Sequence, residues 1–169
     1  MPVVRFDVSI DIGAPPTYVA DWWLDYAAED KDLAPGMARR KVERVDANTI
    51  RLSTLSEFGG NVRTTVGTVT RTGPTRWHMT AHVSSGGKVV STTQTSYSVD
   101  GAPGGSRLLA EFEFVGRSIP WRIALLFARF SLRRDRLRAF RAYADAIGKG
   151  FRAGLPAVAP PAAEPPPPA

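Results

Sequence analysis

Short chain breaks recur about every 13 residues through the middle of this chain. They fall at Asp46-Ala47-Asn48, Gly59-Gly60-Asn61, Thr72-Gly73-Pro74, Ser85-Gly86-Gly87 and Gly101 to Gly105. Such spacing leaves room for strands of about ten residues joined by tight turns, the rhythm of an up-and-down antiparallel meander. One strand and a short helix precede it, and a long arginine-rich helical segment follows. A curved sheet laid against a long helix is the expected result, with room for a cavity between them. The pattern speaks of a container more than of a reaction.

The strand phases follow from alternation. Val4, Phe6, Val8, Ile10 and Ile12 alternate with polar residues, so one face of the first strand is buried. Gly13-Ala14-Pro15-Pro16 ends it, and proline is tolerated in a helix's first turn, where its missing N–H has no intrahelical partner. Tyr18, Val19, Trp22, Trp23 and Tyr26 then recur at helical spacing, and residues 27–36 read as an acidic connection with room for a second helical turn. Around Lys41 to Val45 the alternation breaks, which predicts a bulge. The bulkiest alternating residues assign the inward faces: Ile50, Leu52, Thr54, Ser56 and Phe58; Val62, Thr64, Val66, Thr68 and Thr70; Trp77, Met79, Ala81 and Val83; Val89, Ser91, Thr93, Thr95, Tyr97 and Val99; Leu108, Ala110, Phe112 and Phe114.

The last helix has Ser118 placed to cap it and Pro120 in its first turn. Ile123, Leu126, Phe127, Phe130, Leu137, Phe140, Ala144 and Ile147 read as one continuous apolar stripe. Thirty helical residues span roughly 45 Å, so a bend near Ser131 or two successive helices are both open. Gly148 and Gly150 mark the expected fraying end. Leu155 to Ala169 holds seven prolines and one charge, a composition that predicts a disordered tail. The reading is one domain over 1–152 and a proline-rich tail over 153–169.

The net charge of +6 is unevenly spread. Residues 117–152 carry nine arginines and Lys149 against Asp135 and Asp145, so that segment is +8 and the remainder −2. Anionic lipid, nucleic acid or an acidic ligand could exploit it. There is no cysteine, which excludes disulfides, thiolate metal sites and cysteine nucleophiles. The chain enters a strand without a signal-like segment, and its longest uncharged apolar run in the last helix, Ile123 to Ala128, is too short to span a bilayer. A soluble, cytoplasmic protein is expected.

Polar residues occupy the predicted inward face in a way that packing alone does not require. Thr54, Ser56, Thr64, Thr68, Ser91, Thr93 and Thr95 cluster mid-strand, and each buried hydroxyl left unpaired would cost about 1–3 kcal/mol. A cavity holding water or a ligand relieves that cost. His78 and His82 share the opposite face but stand roughly 13 Å apart along the strand, too far to share a metal. Glu111 and Glu113 also point outward, away from any site for acid–base work. Arg133 or Arg134 interrupts the apolar stripe and can meet an anionic ligand group inside or reach the rim. No catalytic residue, metal site or cofactor site emerges. The residues expected to line a cavity are Trp23, Thr54, Ser56, Thr64, Thr68, Trp77, Met79, Ser91, Thr93, Thr95, Tyr97, Phe112, Phe114, Phe127, Phe130 and Arg134.

With these elements placed, residues 3–150 resemble the START-like, or Bet v 1-like, helix-grip superfamily, which includes bacterial polyketide cyclase/dehydrase-like proteins. The Val4 to Ile12 strand, the Ala14-Pro15-Pro16 lead into an aromatic helix, the meander and the long helix through Ile147 carry the resemblance. It implies an α+β helix-grip fold, in which a curved seven-stranded antiparallel sheet wraps a long C-terminal helix, with one or two short helices after the first strand. It also implies binding of lipids, sterols, hormones, quinones or polyketides. A binding or carrier protein for a small hydrophobic or amphipathic molecule is the first reading. A polyketide cyclase or aromatase is the second, disfavoured because no inward acid or base is found. A surface binder of anionic membrane or nucleic acid through the basic helix is the third. Nucleic acid is disfavoured because no exposed aromatics are expected among the arginines.

Overall fold

The computed structural model describes residues 3–25, 37–58 and 61–157, with backbone alone at 37–40, 57, 58 and 61. Strand β1 (Val3–Ile12) leads to helix α1 (Pro16–Asp25). Strands β2 (Met37–Arg44), β3 (Thr49–Phe58), β4 (Asn61–Gly73), β5 (Arg76–Ser85), β6 (Lys88–Ala102) and β7 (Gly105–Gly116) form the meander, and helix α2 (Ile119–Arg152) closes the chain. All seven strands join one sheet in the order β1-β7-β6-β5-β4-β3-β2. Each pairing is antiparallel. The turn after β5 needs two left-handed residues, and Gly86 (φ 57°) and Gly87 (φ 75°) supply them without a Cβ penalty. The ladder irregularity in β2 falls between Met37 and Arg39, a little before the segment that alternation pointed to.

Both helices lie on one side of the sheet, and the core forms there. Val8, Val69, Trp77, Val99, Leu108 and Ile147 are fully buried. Each such aliphatic side chain contributes about 1.5–3 kcal/mol by leaving water. Alternation set the phase of β1, β3, β5 and β7 as expected, and that of β6 from Ser91 onward; a ladder shift beside Val83 pairs Val89 with Ser84 instead and leaves it 45% exposed. Phe6, Phe112, Thr95, Met79, Val69 and Ile50 stand in one row across the concave face.

Strand β4 runs in the opposite phase to the one its valines suggested. Val69 pairs with Met79, Gly67 with Ala81 and Arg71 with Trp77, so Arg63, Thr65, Gly67, Val69 and Arg71 face inward. Val62, Thr64, Val66, Thr68 and Thr70 therefore stand on the convex face, where Val62 and Val66 are about half exposed. The rule of bulkiest residues fails here because two inward positions are arginines. Their stems cover apolar surface while their heads find partners at the rim. Arg71 Nη1 pairs with Asp21 of α1 at 3.0 Å.

Helix α2 is a single element, so neither a break nor two successive helices occurs. Ser131 Oγ donates to Ala128 O at 2.9 Å without interrupting it. Its apolar residues do not form one stripe. In the first half Leu125 is buried, while Ile123, Leu126, Phe127 and Phe130 face solvent; in the second half Phe140 and Ile147 are buried. The helix packs chiefly on β1, then on β7 and α1. Gly148 and Gly150 do not mark a frayed end. A Cβ on Gly150 would lie 3.3 Å from the Tyr18 hydroxyl, so this glycine lets α1 approach, while one on Gly148 would meet the Arg152 side chain at 3.4 Å. Tyr18 Oη donates to Leu155 O at 3.0 Å and its ring meets Phe151 edge-on at 5.1 Å. The proline-rich residues 158–169 and the connection at 26–36 lie outside the described residues. The architecture is the helix-grip fold.

Gly116 is where β7 hands over to α2. A Cβ there would lie 2.8 Å from Arg122 N and 3.0 Å from Trp121 C. Arg122 Nε also donates to Gly116 O at 3.1 Å. Gly116→Val is expected to destabilise the fold by about 1–3 kcal/mol in urea unfolding. Gly101→Val, at a site with nothing within 4 Å, is expected to have little effect.

Candidate functional site

The concave face changes character from one end to the other. At the α1 end it is closed by rings. Trp77 and Tyr97 stack at 5.0 Å, Trp23 from α1 lies 6.3 and 6.1 Å from them, and Phe140 from α2 meets Trp23 edge-on at 4.9 Å. Two rows further along, Phe114, Thr93, Ala81, Gly67 and Leu52 stand side by side. The three central residues are small, so the face is shallowest mid-sheet. The next row is Ser91, Val83, Thr65 and Thr54, and all but Ser91 are only half-buried. Across this end, the Arg63 guanidinium of β4 lies 5.1 Å from the ring centroid of Trp121 in the first turn of α2. A cation–π contact thus ties the far strands to the helix.

Polar groups also stand on this face. Trp77 is 1% exposed, yet its Nε1–H has no hydrogen-bond partner among the described residues. A buried donor in that state costs about 1–3 kcal/mol. Thr95 Oγ1 is fully buried without a well-formed hydrogen bond, and its hydroxyl stands beside that of Tyr97. Burial pushes the Tyr97 phenol up to about 12, while the Arg136 charge acts in the opposite direction. The Arg136 guanidinium lies 5.6 Å from the Phe112 ring centroid. Among the described residues it has no carboxylate within ion-pair distance. A cation without an anion therefore stands over an aromatic ring, beside a neutral phenol and near a row of hydroxyls.

Of the residues singled out from sequence, Trp23, Trp77, Met79, Ser91, Thr93, Thr95, Tyr97, Phe112 and Phe114 lie together on this face. Thr54 and Ser56 lie half-buried at its far side. Thr64 and Thr68 do not belong to it, because β4 presents them to the convex side. Phe127 and Phe130 are 83% and 81% exposed, on the part of α2 that turns away from the core. They also remove the premise that no exposed aromatic stands among the arginines. Arg134 and Arg136 are both exposed, and it is Arg136, not Arg134, whose guanidinium reaches back over the Phe112 ring. Arg133 instead reaches the edge of the sheet, where its Nε donates to Asp7 O at 3.2 Å. Arg136 was findable in sequence. It stands four residues before the inward Phe140 and so shares its helix face.

A groove of about 780 Å³ runs along the β1 edge, lined by Arg5, Asp7, His78, Gln94, Ser96, Glu111 and Glu113 of the convex face, by Phe6 and Phe112, and by Arg129, Phe130 and Arg133 of α2. Arg5 Nη2 pairs with Glu113 Oε2 at 2.8 Å, and His78 Nδ1 lies 3.3 Å from Ser96 Oγ. Its floor is mostly charged pairs and hydroxyls, which hold water well, and its phenylalanines are confined to the edge. The concave face is the stronger candidate.

No family model matches the chain, and no curated protein does. Solved structures do. An aromatase/cyclase, ZhuI from Streptomyces sp. R1128, superposes with a TM-score of 0.73 at 12% identity, covering 90% of this chain and 98% of that one. The di-domain aromatase/cyclase StfQ of the steffimycin biosynthetic pathway gives 0.70 at 18% identity, with 90% of this chain spanning 53% of that protein. Ara h 8.0201 gives 0.61 at 13% identity, covering 86% and 97%. Likeness at such identities establishes the shared fold.

The Tyr97 environment has a measurable consequence. The unfolded phenol ionises near its ordinary value of 10.0 and the folded one near 12, so burial of the neutral phenol favours the folded state below pH 10. That contribution is lost as pH rises from 10 to 12. Ultraviolet titration of the folded protein is expected to show a phenol ionising near pH 12, and Tyr97→Phe is expected to remove that step.

Proposed function

We propose that this protein binds a small, mostly apolar molecule bearing an anionic or strongly polar group, held on the concave face between the sheet and α2. The observation that carries this reading is the Arg136 guanidinium, without a carboxylate partner among the described residues, above Phe112 and beside Tyr97. The small side chains of the row Thr93-Ala81-Gly67 would leave such a molecule room, and the aromatic tier would give it an apolar wall. The unpaired Trp77 Nε1–H and the Thr95 hydroxyl are donors that a ligand or water could satisfy. Similarity in fold to Ara h 8.0201 and to aromatase/cyclases is compatible with this reading.

A second reading is a cyclase-type reaction, favoured by the same Arg136 and Tyr97. A fixed cation and a neutral phenol could stabilise an enolate while a shaped pocket orients a reactive chain. Incubation with a soluble polyketone separates the two: retention of unchanged ligand supports the carrier, and turnover lost in Arg136→Gln supports the cyclase.

Two substitutions test the site itself. Thr93→Leu is expected to reduce binding of a hydrophobic dye with a stability change under about 1.5 kcal/mol, because the added methyls fill free space. Thr68→Leu, on the convex face, is expected to leave dye binding unchanged. Several kcal/mol lost in Thr93→Leu with dye binding intact would mean a close-packed face. Arg136→Gln is expected to weaken a long-chain carboxylate on the order of tenfold or more, and to leave the matched alcohol unaffected, because a charge-assisted hydrogen bond contributes about 1.5–3 kcal/mol.

A further inference from the structure

The first half of α2 carries a ridge that the core does not use. Ile119, Ile123, Leu126, Phe127 and Phe130 are 69%, 50%, 52%, 83% and 81% exposed. Their spacing of three and four residues puts them on one side of the helix, opposite buried Leu125 and half-buried Trp121, Ala128 and Leu132. From Ile119 to Phe130 the ridge extends roughly 17 Å. Two nearly bare phenylalanines among three exposed aliphatics form a contiguous apolar surface, which marks an interaction site.

The charge around the ridge identifies what it meets. Arg117, Arg122, Arg129, Arg133 and Arg134 lie along it, and no acidic residue occurs between Glu113 and Asp135. Arg117, Arg129 and Arg134 have no ion-pair partner among the described residues. A second copy of the chain is a poor occupant, because a two-fold contact would bring the same five arginines face to face. Nucleic acid would use the arginines and the two rings but leave the aliphatics in water. An anionic bilayer surface satisfies both parts: acyl chains receive the apolar side chains, and headgroups receive the arginines.

We propose that the Ile119–Phe130 ridge of α2 docks this protein on anionic membrane surfaces, with the helix lying in the interface plane. Because the ridge faces away from the core, docking leaves the fold and the concave face intact. The inference is independent of the ligand reading above, and either can fail alone.

Flotation of the full-length protein with vesicles tests it. The vesicles are phosphatidylcholine alone, or phosphatidylcholine with roughly one-third phosphatidylserine, at low and high salt. Binding is expected to the mixed vesicles, weakening with salt, and to be much weaker on phosphatidylcholine alone. Phe127→Ser/Phe130→Ser is expected to lose on the order of tenfold or more in partitioning, and Arg117→Gln/Arg129→Gln/Arg134→Gln about fivefold per arginine. Arg51→Gln/Arg76→Gln, which removes charge elsewhere, is the control and is expected to keep most of the binding. Thermal melting checks that each variant is folded. Absence of binding to mixed vesicles at low salt would overturn the proposal, as would equal loss in the control. So would a dimer dissolved by the phenylalanine changes, or tighter binding of a single-stranded nucleic acid through the same arginines.

Discussion

The indole of Trp23 touches five rings drawn from α1, the sheet and α2: Trp22, Trp77, Tyr97, Phe140 and Tyr143. Edge-on and tilted pairs of this kind contribute about 0.5–1.5 kcal/mol each beyond the area they bury. The network fixes α1 against β5 and β6 and anchors the second half of α2 in the same place. Gly150 contributes by omission, since a side chain there would press on Tyr18 of α1. With that end of the concave face filled by rings, free space can arise only toward the other end. There the inward residues shrink to Thr93, Ala81 and Gly67.

The arginines of α2 illustrate how one basic segment divides into separate roles. Arg136 turns toward Phe112 and Tyr97, Arg133 caps a carbonyl of the β1 edge, and Arg122 holds the β7–α2 junction. Arg117, Arg129 and Arg134 remain at the surface. A single net charge for the segment therefore misleads. The convex face follows another logic. Arg5–Glu113 and Arg107–Asp11 pair β1 with β7 across the ladder. Exposed pairs of that kind add little to stability, so they chiefly keep the face hydrated and the register unambiguous.

Element order, strand number and hairpin positions were legible in the sequence, because glycine, proline and asparagine punctuate the chain where backbone geometry demands them. The phases of β1 and β7 were legible for a similar reason: charged residues alternate cleanly with aliphatic ones, and only one face can be buried. Most of the concave-face residues follow from those phases. Strand β4 was not legible, since valine and threonine occupy both of its faces and the inward set contains Arg63 and Arg71. Its phase is set by hydrogen-bond register with β5, a relation between strands that no local pattern contains.

Helix α2 marks the same boundary most clearly. Its sequence determines that a long helix forms, with proline in the first turn and apolar residues at helical spacing. Those residues are spread over more than one face, so periodicity alone cannot say which of them the sheet will cover. The curved sheet decides. It engages Leu125 in the first half and Phe140 and Ile147 in the second, draws the exposed Arg136 guanidinium over Phe112, and leaves Phe127 and Phe130 in solvent. A helix face is buried only where another surface meets it, and that surface is assembled from strands far away in the chain.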